Sequence, residues 1–295
     1  MVPLLVLISF LAFVLVRVAP GGPFDKERKP ASPEIEAQLK AKYHLDEPLL
    51  KQYLRYLGDL AHGDFGPSLK YRNHSVNDII RQGLPVSLTL GLLAFCFAQG
   101  VGIPLGFLTA ARKGKWEDYA GSFLAVLFIC IPGFVVGPLL IMWFAVQRHW
   151  FPAALWETPR HVILPMIALG LYFSGKIARL MREGMLGVLH EGFITTARAK
   201  GLSESAILFK HAFRLAVLPV VSYSGPLLAD LLTGSFVVEN IFQIPGIGVF
   251  LVNSSLNRDY TMVVGLVFLY AALLLIMNLL VDVSYTLLDP RVRNA

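Results

Sequence analysis

Residues His190–Pro219 read HEGFITTARAKGLSESAILFKHAFRLAVLP. The stretch is basic and helix-prone, and it lies between two apolar runs. Gly192 and Gly201 can break it into short helices. Ser203 is a candidate N-cap for a second piece, in which Ile207, Leu208, His211 and Ala212 recur at helical spacing. The small residues Ala197, Ala199 and Gly201 let another protein's backbone approach closely. A short helix with small residues and a few cations suits a groove on a soluble partner. A loop that only fixes orientation has the same composition, because Lys/Arg-rich cytoplasmic loops are the rule.

Around that stretch the chain is mostly apolar. Of 295 residues, 55% are hydrophobic and 16% charged, and the charges are segregated. A helix needs about 20 apolar residues to cross a ~30 Å hydrocarbon core. The candidate runs are Met1–Ala19, Leu84–Ala111, Tyr119–Val146, Val162–Ile177, Leu215–Val238 and Thr261–Leu288, the fourth being short. In hydrocarbon each backbone N–H and C=O must be paired internally, so these runs predict helices. The expected class is an all-α polytopic membrane protein with six transmembrane helices, which excludes a soluble globular domain. Cys96 and Cys130 fall inside apolar runs and read as small buried hydrophobes, not as a disulfide or a metal pair.

Net charge is +6, but its placement says more. With the N-terminus inside, the short cytoplasmic segments hold Arg112, Lys113, Lys115, Lys176, Arg179, Arg182, Arg198, Lys200, Lys210, Arg214, Arg291 and Arg293. The short outer loops hold Arg148, Arg160 and Arg258. This asymmetry predicts cytoplasmic termini and a cytoplasmic 190–219 stretch. Topology therefore accounts for the basic balance, and no cation-rich soluble face or stacking module points to nucleic acid. Met1–Ala19 lacks a basic n-region, and Pro20 follows the only candidate cleavage point, so the run is expected to stay as a membrane helix. Arg17 is expected to snorkel to the outer interface.

The predicted boundaries are 1–19 for the first helix, 20–83 for an external segment and 84–288 for the transmembrane domain. Within the last, 178–214 is the cytoplasmic loop, and 289–295 is a cytoplasmic tail. In the external segment, Pro30–Pro33 carries turn signals and Pro33–Tyr43 reads as a helix. Pro48 opens another, with Leu50, Tyr53, Leu54 and Leu57 as its apolar stripe. Gly63-Asp64-Phe65-Gly66 reads as a turn, and Ser75–Gln82 leads into the second span. So short a segment is marginal alone, so it should pack on the membrane domain. His44, His62 and His74 lack metal-ligand spacing, and Glu157 with His161 lacks a third ligand.

Within the spans, Gly102-x-x-x-Gly106 and Gly133-x-x-x-Gly137 place small residues four apart, a pattern that lets helices approach. Pro132 and Pro138 indicate kinks. Asp230 is the one acid well inside a predicted span. A mid-bilayer carboxylate costs roughly 2.5–3.5 kcal/mol, so Asp230 should face a cavity as a pore-lining group, or pack as a hydrogen-bonded acid between helices.

The order Thr195-Thr196-Ala197-Arg198-Ala199-Lys200-Gly201-Leu202, then His211-Ala212, then Leu218-Pro219, resembles the coupling-loop motif of importer permeases driven by ATP-binding cassettes. It is most similar to the peptide-permease branch, whose version runs TARAKGL…HA…LLP. Thr195 and Thr196 stand where the wider family begins Glu-Ala-Ala. Ala41–Tyr71, AKYHLDEPLLKQYLRYLGDLAHGDFGPSLKY, is similar to the external segment of oligopeptide-permease B subunits. Gly234–Phe242, Pro245-Gly246-Ile247-Gly248 and Asn257–Tyr260 resemble the family's outer loop, and Asp282–Arg291 resembles its tail.

This resemblance implies the type I importer permease fold, in a subunit of a bacterial oligopeptide importer in the cytoplasmic (inner) membrane. The implied partners are a second related permease subunit, two cytoplasmic ABC ATPases, an external peptide-binding protein and the peptide itself. ATP and Mg would sit on the ATPases, and this chain would bind no cofactor. Thr195–Leu202 and His211 would dock an ATPase, and Glu239, Pro245, Gly246 and Gly248 would belong to an outer gate. The same machine could carry dipeptides, nickel or glycosides, because the binding protein chooses much of the cargo. A self-contained secondary transporter would show internal repeats and several buried ionisable groups, and neither is evident here. The chain has no Gly-x-x-x-x-Gly-Lys-Ser/Thr phosphate loop, Gly-x-Ser-x-Gly or HExxH motif, which predicts a non-catalytic subunit.

From the sequence, Ala197→Arg or a bulky residue at Gly201 should uncouple ATP hydrolysis from transport while membrane assembly persists. Unchanged uptake and cargo-stimulated hydrolysis would contradict the docking reading.

Overall fold

The structure, a computed structural model, describes residues 1–18, 46–71, 74–232 and 236–288. The expected Pro30–Pro33 turn, the Pro33–Tyr43 helix, His44, Gly234, Ser235 and the 289–295 tail lie outside the described residues. Regular structure among the described residues is helical, with one isolated β-type bridge between Pro67 and Ser75. In chain order the helices are α1 Val2–Val18, α2 Leu49–Ala61, α3 Val76–Ala111, α4 Trp116–Cys130 and α5 Gly133–Leu140. Then come α6 Ile163–Val188, α7 Gly192–Ala199, α8 Glu204–Ala216, α9 Leu218–Leu232, α10 Phe236–Ile241, α11 Ile247–Asn257 and α12 Tyr260–Leu288.

Among the described residues, three helices are long and apolar enough to cross a membrane: Val76–Ala111, Pro159–Val188 and Tyr260–Leu280. Two bent pairs qualify jointly: α4 with Gly133–Gln147, at 102°, and α8 with α9, at 46°. The first break falls at Ile131-Pro132, where Pro132 is extended at φ −62° and ψ 144°. Proline supplies no N–H and disfavours a helical residue before it, which accounts for the break. Helix α1 has 17 residues, at the short end for a span. The fourth span is the largest departure from expectation. Its helix does not stop near Ile177 but runs to Val188. Arg179 and Arg182 therefore lie on a helix and not in the predicted loop.

The chain divides into two compact units, Met1–Ser87 with Pro245–Leu275, and Leu88–Ile244 with Ile276–Ala295. In the first, α2 packs on α1 through Phe13, Tyr53 and Tyr56, joined by Val264 of α12. The Ser9 and Tyr53 hydroxyls hydrogen-bond at 2.9 Å. Leu50 and Leu54, expected in the buried stripe, are 67% and 60% exposed. The buried face keeps Tyr53 and Leu57 of that stripe and adds Tyr56 and Leu60, because the helix carries apolar residues on two adjoining stripes. Arg17 stacks 3.5 Å from the Phe13 ring centroid and donates to Gln52 Oε1 at 3.1 Å. It is thus held by protein groups.

Asp259 is the polar hub of this unit. Fully buried, it accepts the Ser68 hydroxyl, the Leu69 and Lys70 N–H groups at 3.2 and 3.3 Å, and the Met262 N–H at 3.2 Å. It therefore caps α12 and pins the loop after α2 to it. The expected Gly63–Gly66 turn forms, with φ +78° and +86° at its glycines and the Gly66 N–H on Asp64 at 2.8 Å. Ser75 and Asp78 cap α3 reciprocally, Asp78 N–H to Ser75 Oγ at 3.1 Å and Ser75 N–H to Asp78 at 2.9 Å.

In the second unit α6 is central. A Cβ at Gly102 would stand 2.6 Å from the Ser174 carbonyl oxygen, and one at Gly106 would collide with that of Ala178. The small-residue pattern is therefore the seam between α3 and α6. Cys96 and Cys130 are free and lie on exposed helix surface, contrary to their expected burial. An apolar sequence context does not distinguish a protein core from a lipid-facing surface. Asp118 of α4 is 7% exposed and takes a bidentate pair from Arg182 of α6, at 2.8 and 3.0 Å. It also accepts the Gly114 N–H at 3.0 Å.

Removing one partner of such a pair strands the other charge. Asp118→Ala should cost roughly 2 kcal/mol or more, and Asp118→Leu with Arg182→Leu should cost less than either single change. Thermal unfolding in detergent measures this. Equal stability of wild type and Asp118→Ala would contradict it.

Candidate functional site

The segment after α6 folds into a small foot. Its first helix, α7, ends in a turn with two back-bonds. The Gly201 N–H donates to the Arg198 carbonyl at 2.9 Å, and the Leu202 N–H to that of Ala197 at 3.3 Å. Together these form a Schellman motif, which requires a left-handed residue at Gly201, where φ is +78°. Ser203 then caps α8 as expected, its Oγ accepting the Ala206 N–H at 3.4 Å. Arg198 bridges the turn to Glu204 at 2.9 Å, and this partner pushes the guanidinium pKa up. Both groups are exposed, so the pair is worth under about 1 kcal/mol.

The foot has an inner and an outer face. Ile194 and Ala197 turn inward, into one buried cluster with Met181 and Met185 of α6, Ile207 and Ala212 of α8, and Ala110 of α3. The Phe107 ring of α3 sits 4.6 Å from Phe209 and 6.0 Å from Phe213. Thr195, Thr196, Arg198, Ala199, Lys200, Gly201 and Leu202 are exposed, and His211 is half-buried. Thr196 Oγ1 donates to the Gly192 carbonyl at 3.0 Å. Ala197, expected to receive a partner, is 6% exposed and faces its own core, so Ala197→Arg would disrupt the packing of the foot and does not isolate docking. Its i+3 spacing from Ile194 puts both on the same face. Around Gly201 the space is open, since a Cβ there meets nothing within 4 Å.

Asp230 lies on α9 and is exposed to a cavity of about 340 Å³ shared with Phe134, Tyr172 and Phe173. One turn beyond Tyr172 on α6 is Lys176, whose Nζ stands 4.5 Å from the Tyr172 ring centroid. Lys176 also meets Tyr223 of α9 and feels the Asp230 charge. Gln99 of α3 donates to Ser224 of α9 at 2.5 Å. The sequence reading found Asp230 but missed Lys176, because it counted that residue among the cations that set orientation. The signal available was a lysine and two tyrosines within otherwise apolar helical runs.

The outer-gate candidates fall in different units. Glu239 is fully buried in α10, and its carbonyl accepts the Ile244 N–H at 2.8 Å. Pro245, Gly246 and Gly248 belong to the other unit. Gly246 precedes α11 in an extended conformation, φ −90° and ψ 169°, and the Ile247 N–H donates to Ser87 Oγ at 3.0 Å. A Cβ at Gly83 would stand 3.1 Å from the Ile247 nitrogen, so this glycine admits the start of α11 onto α3.

Residues 102–294 match the sequence profile of the family described as binding-protein-dependent transport system inner membrane component. The chain is 46% identical, over 98% of its length and 95% of the relative's, to the oligopeptide transport system permease protein OppB of Haemophilus influenzae. The Escherichia coli K12 protein of that name is also 46% identical, over 99% and 96%. The dipeptide transport system permease protein DppB of Bacillus subtilis is 46% identical, over 98% and 94%. In fold, the chain is similar to the MetNI methionine ABC transporter in inward-facing conformation, with TM-score 0.60 and 18% identity over 72% of this chain and 96% of that one. An amino acid ABC transporter gives TM-score 0.52 at 19% identity, over 73% and 94%. The glycine-seamed helical unit, the capped foot and these full-length matches agree: the chain belongs to the family of binding-protein-dependent transport system inner membrane components.

Proposed function

We propose that this chain is one of two related permease subunits in an ABC importer for oligopeptides, lining half of the translocation path. The observation that carries the cargo reading is 46% identity, end to end, to permeases named for oligopeptide transport. Equal identity to a dipeptide permease supports a second reading, in which the cargo is shorter. An external binding protein would deliver peptide. Two cytoplasmic ABC ATPases would hold ATP and Mg, leaving this chain without catalysis. Both termini would be cytoplasmic, in the inner membrane of a bacterium.

In this mechanism the outer face of the foot seats in an ATPase. Thr195, Thr196, Arg198, Ala199, Lys200, Gly201 and Leu202 supply that surface, with His211 at its edge. The inner face is fixed to α3 and α6 by the Ile194–Met185–Ile207 packing. Closure of the ATPases on ATP would move the foot, and the foot would move α6 and α3 with it. Packed helices have discrete arrangements, so a small displacement can switch the path between inward- and outward-facing states.

Leu202→Asp alters only the exposed face and should lower cargo-stimulated ATP hydrolysis by at least about tenfold, while assembly of the subunit in the membrane is retained. Gly201→Val should do the same by straining the left-handed turn. Wild-type hydrolysis in both variants would contradict the docking surface. Uptake of labelled peptides of two to eight residues by the reconstituted complex tests the cargo. Accumulation of tetrapeptides and longer supports oligopeptides, uptake of dipeptides alone supports the shorter cargo, and uptake of neither refutes both.

A further inference from the structure

We infer that Lys176, Tyr172, Tyr223 and Asp230 form a bipolar cradle that holds the two charged ends of a short peptide as it crosses the membrane. The inference rests on the peptide reading above.

Lysine and aspartate within membrane helices are costly unless they serve a partner or a water-filled path. Lys176 lies inside the Pro159–Val188 span, twelve residues before the helix end at Val188, which is about 18 Å of rise. Its ammonium is held by Tyr172, with Nζ 4.5 Å from the ring centroid, and it also meets Tyr223. Asp230 follows Tyr223 by seven residues on the same helix, a rise of about 10 Å. The rise along α9 from Tyr223, which meets Lys176, to Asp230 is therefore the length over which a cation and a carboxylate are set out.

Asp230 and Tyr172, the ring beside Lys176, line a cavity of about 340 Å³ together with Phe134 and Phe173. It offers aromatic walls to side chains and Tyr172 to a peptide backbone. An extended peptide covers about 3.3–3.6 Å per residue, so the rise of about 10 Å fits roughly three residues. A free peptide carries an α-ammonium and an α-carboxylate. Asp230 takes the first, Lys176 the second. Cargo would then enter with its carboxyl end leading toward the foot.

The test uses the full importer in proteoliposomes, with its binding protein saturated by a tripeptide or a hexapeptide. Lys176→Gln and Asp230→Asn should each slow tripeptide uptake about tenfold or more, the effect of losing a charged hydrogen bond. Lys176→Arg should keep most of the rate. The hexapeptide should lose less, since its ends cannot occupy both positions at once. The charge swap Lys176→Asp with Asp230→Lys should stay impaired, because a reversed cradle no longer matches the delivered orientation. Recovery in the swap would mean that the two residues form only a structural ion pair, and would overturn the inference. Single variants within twofold of wild type would also overturn it. Should Lys176→Gln fail to assemble, Tyr172→Phe and Tyr223→Phe remove only hydroxyls and must still slow tripeptide uptake severalfold, or the cradle is wrong. Absence of peptide uptake by the wild-type importer would refute the cargo reading itself, a separate result.

Discussion

Helix α6 is gripped by carbonyl oxygens that stand where side chains would otherwise be. A Cβ at Gly175 would come within 2.5 Å of the Ala125 carbonyl oxygen, and one at Gly184 would strike that of Ala216. Gly102 and Gly106 give α3 the same proximity from the other direction. In lipid there is little hydrophobic gain from bringing two apolar helices together, so association depends on close van der Waals packing. Glycine makes that approach possible. It also makes α6 hard to move without moving its neighbours, which is what a lever requires.

The foot inherits its rigidity from this packing. Its own secondary structure is slight, because α7 has eight residues and isolated helices of that length are marginal in water. It is ordered by a left-handed glycine, a serine cap and an apolar inner face continuous with the core of the second unit. Its outer face keeps Leu202 at 42% exposure and Phe209 at 66%, which is apolar surface at a place where water or a partner must cover it. The device separates two tasks: Ile194 and Ala197 hold on, while Lys200 to Leu202 face out.

Much of this was legible in the sequence, because local rules govern it. The Gly201 break, the Ser203 cap, the Gly63–Gly66 turn and the Gly102/Gly106 seam each follow from conformational limits of a few residues. The failures came where apolar character had to be assigned a direction. On α2 two stripes adjoin, and packing kept Tyr53 and Leu57 of the expected one while Tyr56 and Leu60 replaced Leu50 and Leu54. Cys96 and Cys130 looked buried, although a membrane helix is as apolar outside as inside. The fourth span was read short because Arg179 and Arg182 interrupt its hydropathy. Asp118 neutralises Arg182 from 64 residues away in sequence, and no local pattern announces that pairing. Ala197 was placed correctly in the foot and on the wrong face of it.

The central claim is that the foot lies in the cytoplasm and seats in an ATPase. Site-directed disulfide cross-linking tests it most directly, in a background with Cys96 and Cys130 replaced. A cysteine at Leu202 should cross-link to a cysteine in the partner ATPase, and should resist a membrane-impermeant thiol reagent added outside intact cells. A cysteine at Leu256, in the expected external region, should show the opposite pattern. Labelling of the Leu202 position from outside, or no cross-link in the assembled complex, would contradict the account.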